Sequence, residues 1–148
     1  RFFAFDSFKG LPKIGTIDNK NRLEDFKEGN LCCAQDEFER ILRKKKIDKN
    51  RIRIVPGFFK ESLLPNVKKE HRLTKAAFIF IDCDLYESTM EALTYLYPKL
   101  SAGGYIIIDD YSIESCRKAL ADYRHAQQIK EPILPIDSAG VYWQKTSE

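Results

Sequence analysis

The sequence contains no Gly-x-Gly, only two histidines and one tryptophan, and four cysteines with no Cys-x-x-Cys pair among them. Each absence removes a class of function. Without Cys and His at zinc spacing there is no finger- or ribbon-type metal site. Cys32, Cys33, Cys83 and Cys116 therefore read as free thiols of a reducing compartment, and a cytoplasmic chain is expected. No apolar run approaches the ~18 residues of a membrane-spanning helix, and no signal-peptide pattern opens the chain, so no membrane partner is expected. A strong charge bias is missing too. Lys and Arg number 25 against 22 Asp and Glu, and a net charge of +3 does not point to nucleic acid. The densest basic run, "RKKKIDKNRIR" (43–53), falls where a helix would end. Cations favour that end of the macrodipole, so it reads as a solvated helix terminus.

A methionine is also absent from position 1. The chain opens "RFFAFDSF", already inside an apolar segment, and the expectation is a chain truncated before its first strand. The 148 residues, 43% hydrophobic and 32% charged, suffice for one core, so a single domain over 1–148 is expected.

Periodicity and breakers divide the rest. "RFFAF" reads as a buried strand and residues 17–30 as polar and irregular. "AQDEFERILRKKK" is an amphipathic helix with Phe38, Ile41 and Leu42 on one face. "RIRIVPG" is a strand and "FFKESLLPNV" a loop or short helix. "KAAFIFID" and "GGYIIIDD" are strands around the helix "STMEALTYLYPKL", where Ser88 and Glu91 stand at capping-box spacing. "SIESCRKALADYRHAQQ" is a helix, and "PILPI" and "GVYWQK" form a hairpin across residues 137–140. Near-continuous apolar strands alternating with helices predict an α/β doubly wound sheet, mostly parallel, covered on both faces, and closed by an antiparallel hairpin.

In open α/β sheets ligands sit beyond the carboxyl ends of the strands. Acids fall at three such ends: Asp6, Asp82 with Asp84, and Asp109 with Asp110. The last two groups are separated by one strand–helix–strand unit, and neighbouring strands lie ~4.8 Å apart, near enough for carboxylates to share a cation. An all-oxygen set suits Mg²⁺ or Mn²⁺ rather than zinc. Asp84 could equally cap the following helix.

Three chemistries compete for these acids. A haloacid-dehalogenase-type phosphatase would use Asp-x-Asp-x-Thr/Val, but Tyr86 stands at the fifth position and no dedicated Lys is evident. A metal-dependent glycosyltransferase would use Asp82-Cys83-Asp84, leaving the second acidic strand end without a role. Methyl transfer to a hydroxyl, assisted by a metal that lowers the hydroxyl's pKa, employs all three groups. Asp6 then occupies the place of the acid that contacts ribose hydroxyls about 20 residues after a glycine-rich turn, and that turn would precede residue 1. A non-catalytic scaffold or oligomerisation module is the remaining alternative, because an unpaired strand edge recruits partners, including a second copy.

"FDSFKGLP" (5–12), "IDCDLYEST" (81–89), "LYPKLSAGGYIIIDDY" (96–111) and "GVYW" (140–143) together resemble the macrocin O-methyltransferase family. The resemblance implies a class I, S-adenosylmethionine-dependent, Mg²⁺-dependent enzyme that methylates a hydroxyl of a small, glycosylated metabolite. It implies Asp82, Asp109 and Asp110 as metal ligands, with Asp82 also the general base. It implies Asp6 at the cofactor's ribose, Gly57 and Phe58 near its adenine, and Ser7 and Asp82 also among the cofactor-binding residues. Cys83 stands where the family usually carries Gly. Among other residues, Tyr111 is expected to line the site and Tyr142 and Trp143 to be core. His71 and His125 are expected at the surface, and Glu87 and Glu91 near a helix N-terminus.

Overall fold

A computed structural model describes residues 1–18, 26–63 and 73–147. Cα packing divides these residues between two compact units. Residues 1–14 and 26–63 belong to the first, residues 15–18 and 73–147 to the second.

In the first unit, β1 (Phe2–Asp6) is followed by helix α1 (Gln35–Lys44) and β2 (Ile52–Pro56), and the two strands pair in parallel from Phe2↔Ile52 to Asp6↔Pro56. Asp36 and Glu37 in the first turn of α1 and Arg43 and Lys44 in the last complement its dipole, as the basic run implied. Phe38 reaches the ring of Phe8 with centroids 5.9 Å apart, while Ile41, expected on the same apolar face, is exposed. The short helix α2 (Phe59–Ser62) follows β2.

The second unit runs β3 (Ala76–Ile81), α3 (Tyr86–Leu96), β4 (Leu100–Ile108), α4 (Glu114–Ala126), β5 (Leu134–Pro135) and β6 (Val141–Gln144). Its sheet has the order β3-β4-β6-β5. β3 and β4 are parallel from Phe78↔Tyr105 to Ile81↔Ile108, and β6 is antiparallel to both β4 and β5. The predicted closing hairpin is present. The Asp137 carboxylate accepts the N–H groups of Ala139 and Gly140, which turns the chain between β5 and β6.

Strand alternation sorts this sheet into two faces. Ile79, Ile81, Ile106, Ile108, Val141 and Trp143 are buried, as are Leu93 of α3 and Ala119, Leu120 and Tyr123 of α4. Trp143 packs near Tyr97, and the Arg124 guanidinium lies 4.8 Å from its ring centroid, so its expected core position holds. The opposite face differs from expectation: Phe78, Phe80 and Tyr105 are 56%, 52% and 43% exposed. Continuous apolarity in β3 predicted cover on both sides, but it cannot report how many layers are present. Among the described residues that face is bare.

The capping box also fails. Helix α3 starts at Tyr86, two residues before Ser88, and Ser88 is buried inside it. Its N-cap, Leu85, offers no side-chain acceptor, and the first N–H is satisfied from elsewhere in the chain.

Candidate active site

The loop leaving β3 is built by its acids. Asp110, just past the end of β4, accepts two backbone N–H groups through a single Oδ2, from Cys83 at 3.0 Å and from Asp84 at 2.9 Å. The Leu85 N–H closes a tight turn onto the Cys83 carbonyl at 2.6 Å, and Asp84 adopts a left-handed backbone with φ of 59°. The neighbouring strands are tied at the same level, where the Asp109 N–H donates to the Ile81 carbonyl at 2.9 Å.

This loop brings carboxylate oxygens of Asp82, Asp84 and Asp110 within 4.8 Å of one another. Crowding has an electrostatic signature. Burial, followed by the charges of Asp110, Asp82 and Asp109, raises the Asp84 pKa to about 6. Burial likewise pushes the Cys83 thiol well above its usual range, with Cys116 and the acids adding to it, so Cys83 is a protonated neighbour rather than a nucleophile. The donor set is all carboxylate oxygen, which suits a hard divalent cation.

The first unit has its own strand-end cluster. Asp6 lies exposed at the end of β1, and its Oδ1 accepts the Phe8 N–H at 2.7 Å. Ser7 Oγ donates to the Gly10 carbonyl at 2.8 Å and accepts the Lys9 N–H. Gly57 follows β2 and donates its N–H to the Asp6 carbonyl at 2.9 Å. Its φ of +124° is open only to glycine, and a Cβ there would meet only Ser62 Cβ at 3.5 Å. The Phe58 carbonyl accepts the N–H groups of Glu61 and Ser62 to start α2.

The sequence profile of the macrocin-O-methyltransferase (TylF) family matches residues 1–145. The chain belongs to that family. It is 38% identical over 151 residues to 8-demethyl-8-(2,3-dimethoxy-alpha-L-rhamnosyl)-tetracenomycin-C 4'-O-methyltransferase of Streptomyces olivaceus, with 99% of this chain and 56% of that protein aligned. Mycinamicin III 3''-O-methyltransferase of Micromonospora griseorubida is 36% identical over 151 residues, covering 96% of this chain and 56% of the relative. The structure of the O-methyltransferase NovP matches with a TM-score of 0.86 at 36% identity, covering 97% of this chain and 59% of that one. The calicheamicin methyltransferase CalS11 shares the fold, with a TM-score of 0.76 at 21% identity over 97% of this chain and 60% of its own. The fold class is thus the expected class I methyltransferase type. The chain spans about half the length of the curated relatives it matches, 53% to 56%.

Within the chain the expected residues fall into two groups. Asp6, Ser7, Gly57 and Phe58 meet at the strand ends of the first unit. Asp82 and Asp110 meet in the second, and the carboxylate completing their group of three is that of Asp84, with Asp109 outside it. Asp84 does not cap α3. Tyr111 is half-buried beside the Arg117 guanidinium, 6.0 Å from its ring centroid. Tyr86 instead joins two helices, donating its hydroxyl to Asp122, which also accepts from Lys118. Glu87 lies in the first turn of α3, His125 is exposed, and His71 lies outside the described residues. Asp18 was missed. It lies in a segment read as irregular, and its partner, the Tyr86 N–H, stands 68 positions away.

Proposed function

We propose that this chain carries the S-adenosylmethionine-dependent, metal-assisted methylation of a hydroxyl on a sugar of a glycosylated natural product. The observation that carries the reading is the three-carboxylate cluster at the strand ends of a chain in the macrocin-O-methyltransferase family. The names of its relatives, which specify O-methylation of a rhamnosyl-bearing tetracenomycin and of a mycinamicin, support the acceptor class.

Asp82, Asp110 and Asp84, with Asp109 adjoining just past the end of β4, are the residues that would hold Mg²⁺ or Mn²⁺. Such an ion supplies Lewis acidity that lowers the pKa of an acceptor hydroxyl. Asp82 would take the hydroxyl proton as the oxygen forms its bond to the methyl carbon and the carbon–sulfur bond of the donor breaks. Asp6 would hold the ribose hydroxyls of the donor, with Ser7 beside it. Gly57, whose open Cα side admits close approach, and Phe58 would adjoin the adenine.

Calorimetric titration with S-adenosylhomocysteine, with and without Mg²⁺, tests the reading, with a nucleotide sugar as control. Saturable binding of the homocysteine compound alone is expected. Binding of the nucleotide sugar in its place would transfer the acidic cluster to sugar transfer. Binding of neither would end the proposal for this chain.

A further inference from the structure

Asp18 is the one carboxylate among the described residues that is buried, at 4% exposure. It belongs to the second unit, although it precedes β3 by a long stretch of chain. Its Oδ1 accepts the N–H of Tyr86, the opening residue of α3, at 2.9 Å. Helix N-termini leave their first N–H groups without intrahelical partners, and a Ser, Thr, Asp or Asn at the N-cap normally supplies the acceptor. Leu85 cannot. A carboxylate from far upstream therefore does what the local sequence leaves undone.

The significance lies in what adjoins that contact. From Cys83 through Tyr86 every backbone N–H is engaged: Cys83 and Asp84 by Asp110, Leu85 by the Cys83 carbonyl, Tyr86 by Asp18. The anchors outside the loop are thus Asp110 at one end and Asp18 at the other. Between them Asp84 sits left-handed, a conformation that a non-glycine residue keeps only where its surroundings over-determine it. The seat of Asp18 is itself close-fitting. A Cβ on Gly15 would stand 3.3 Å from both Asp18 Oδ2 and Glu87 Oε1.

The geometry points to Asp18 as a positioning residue of the acidic loop. By fixing the start of α3 it fixes the turn in which Asp82 and Asp84 face Asp110. It touches none of the reacting groups. Its consequence for cation binding rests on the proposed function, whereas its hold on the loop does not.

The test compares the parent with Asp18→Ala, Asp18→Asn and, as a control for simple destabilisation, Leu120→Val in the buried face of α4. Two quantities are read: calorimetric Mn²⁺ affinity, and amide hydrogen exchange at Asp84 and Tyr86 without metal. Residues that orient ligands typically change metal affinity 10–100-fold, so Asp18→Ala is expected to weaken Mn²⁺ roughly tenfold. Asp18→Asn keeps an acceptor oxygen and is expected to stay within about twofold. Exchange at Asp84 and Tyr86 should accelerate in Asp18→Ala well beyond Leu120→Val. Parental exchange at those amides overturns the inference, and so does a parental Mn²⁺ affinity in Asp18→Ala, or an equal loss in Leu120→Val. A parent that binds no Mn²⁺ overturns the cation reading instead. Exchange then decides the role of Asp18: faster than Leu120→Val supports it, equal to Leu120→Val refutes it.

Discussion

Replacing Asp110 separates two duties that one carboxylate performs. As a cation ligand it needs its charge; as the anchor of the loop after β3 it needs only an oxygen in place. Asp110→Asn keeps that oxygen and removes one negative charge from the crowded group, the charge that weighs most among the neighbours of Asp84. Without metal, its loss of hydrogen-bond strength and its relief of repulsion offset one another. Asp110→Ala removes the acceptor of two backbone N–H groups. Both variants shed the same charge, so at a net ~1–1.5 kcal/mol per hydrogen bond the alanine variant should lose about 2–3 kcal/mol relative to the asparagine one. For a chain of this size that corresponds to a melting midpoint roughly 5–10 °C lower. Thermal unfolding followed by circular dichroism in a chelating buffer reads the difference directly. With Mn²⁺ at a hundred times its dissociation constant the parent should gain about 2.7 kcal/mol, and both variants less. If the alanine and asparagine variants melt together in the metal-free buffer, Asp110 does not hold the loop.

The four thiols should divide under native labelling at pH 8. Cys32 and Cys33 are exposed and should react with a disulfide reagent at once; Cys83, part-exposed with its thiol held well above the usual range, should react more slowly, and Cys116, fully buried with its pKa pushed up to about 12 mainly by burial, only on unfolding. Four rapidly titrating thiols in the folded chain would refute the packing around α4. Gly104→Ala should destabilise by about 1–3 kcal/mol, because its Cβ would stand 2.8 Å from the Ser101 carbonyl oxygen and 2.9 Å from that of Ala77, backbone atoms that cannot swing away. Gly103→Asn, at φ +80° in open space, should cost less when both variants are unfolded in urea, since Asn tolerates left-handed backbone. A larger loss at Gly103 would contradict the described approach of β4 to β3.

What could be read from sequence was local. The apolar runs of β3 and β4, each ending in acids, located both strands and placed Asp82 and Asp110 together. Asp137 and Gly140 located the hairpin, because a turn's chemistry lies within its own few residues. The start of α3 was misplaced for the complementary reason. Ser88 and Glu91 have capping-box spacing, but the acceptor actually used comes from Asp18, and no window of local sequence contains both partners. Asp84 was undecidable between helix cap and cluster member until the left-handed turn set its direction. The bare face of β3 is a property of layers, which strand periodicity does not encode.

The outer side of β3 has one further consequence. β3 closes its sheet at one edge, so its outer row of peptide groups is unmatched within that sheet. The six residues Ala-Ala-Phe-Ile-Phe-Ile are free of charge, proline and glycine, the composition of segments that stack into cross-β fibrils. Lys75 and Asp82 flank them with opposite charges, in the position of gatekeepers against self-templating. Asp82 is thus the charge that ends the apolar segment as well as a member of the acidic cluster. Exchanging it for an apolar residue would run the uncharged segment on through Cys83, and a loss of function in such a variant has to be weighed against the state of association of the protein in the cuvette.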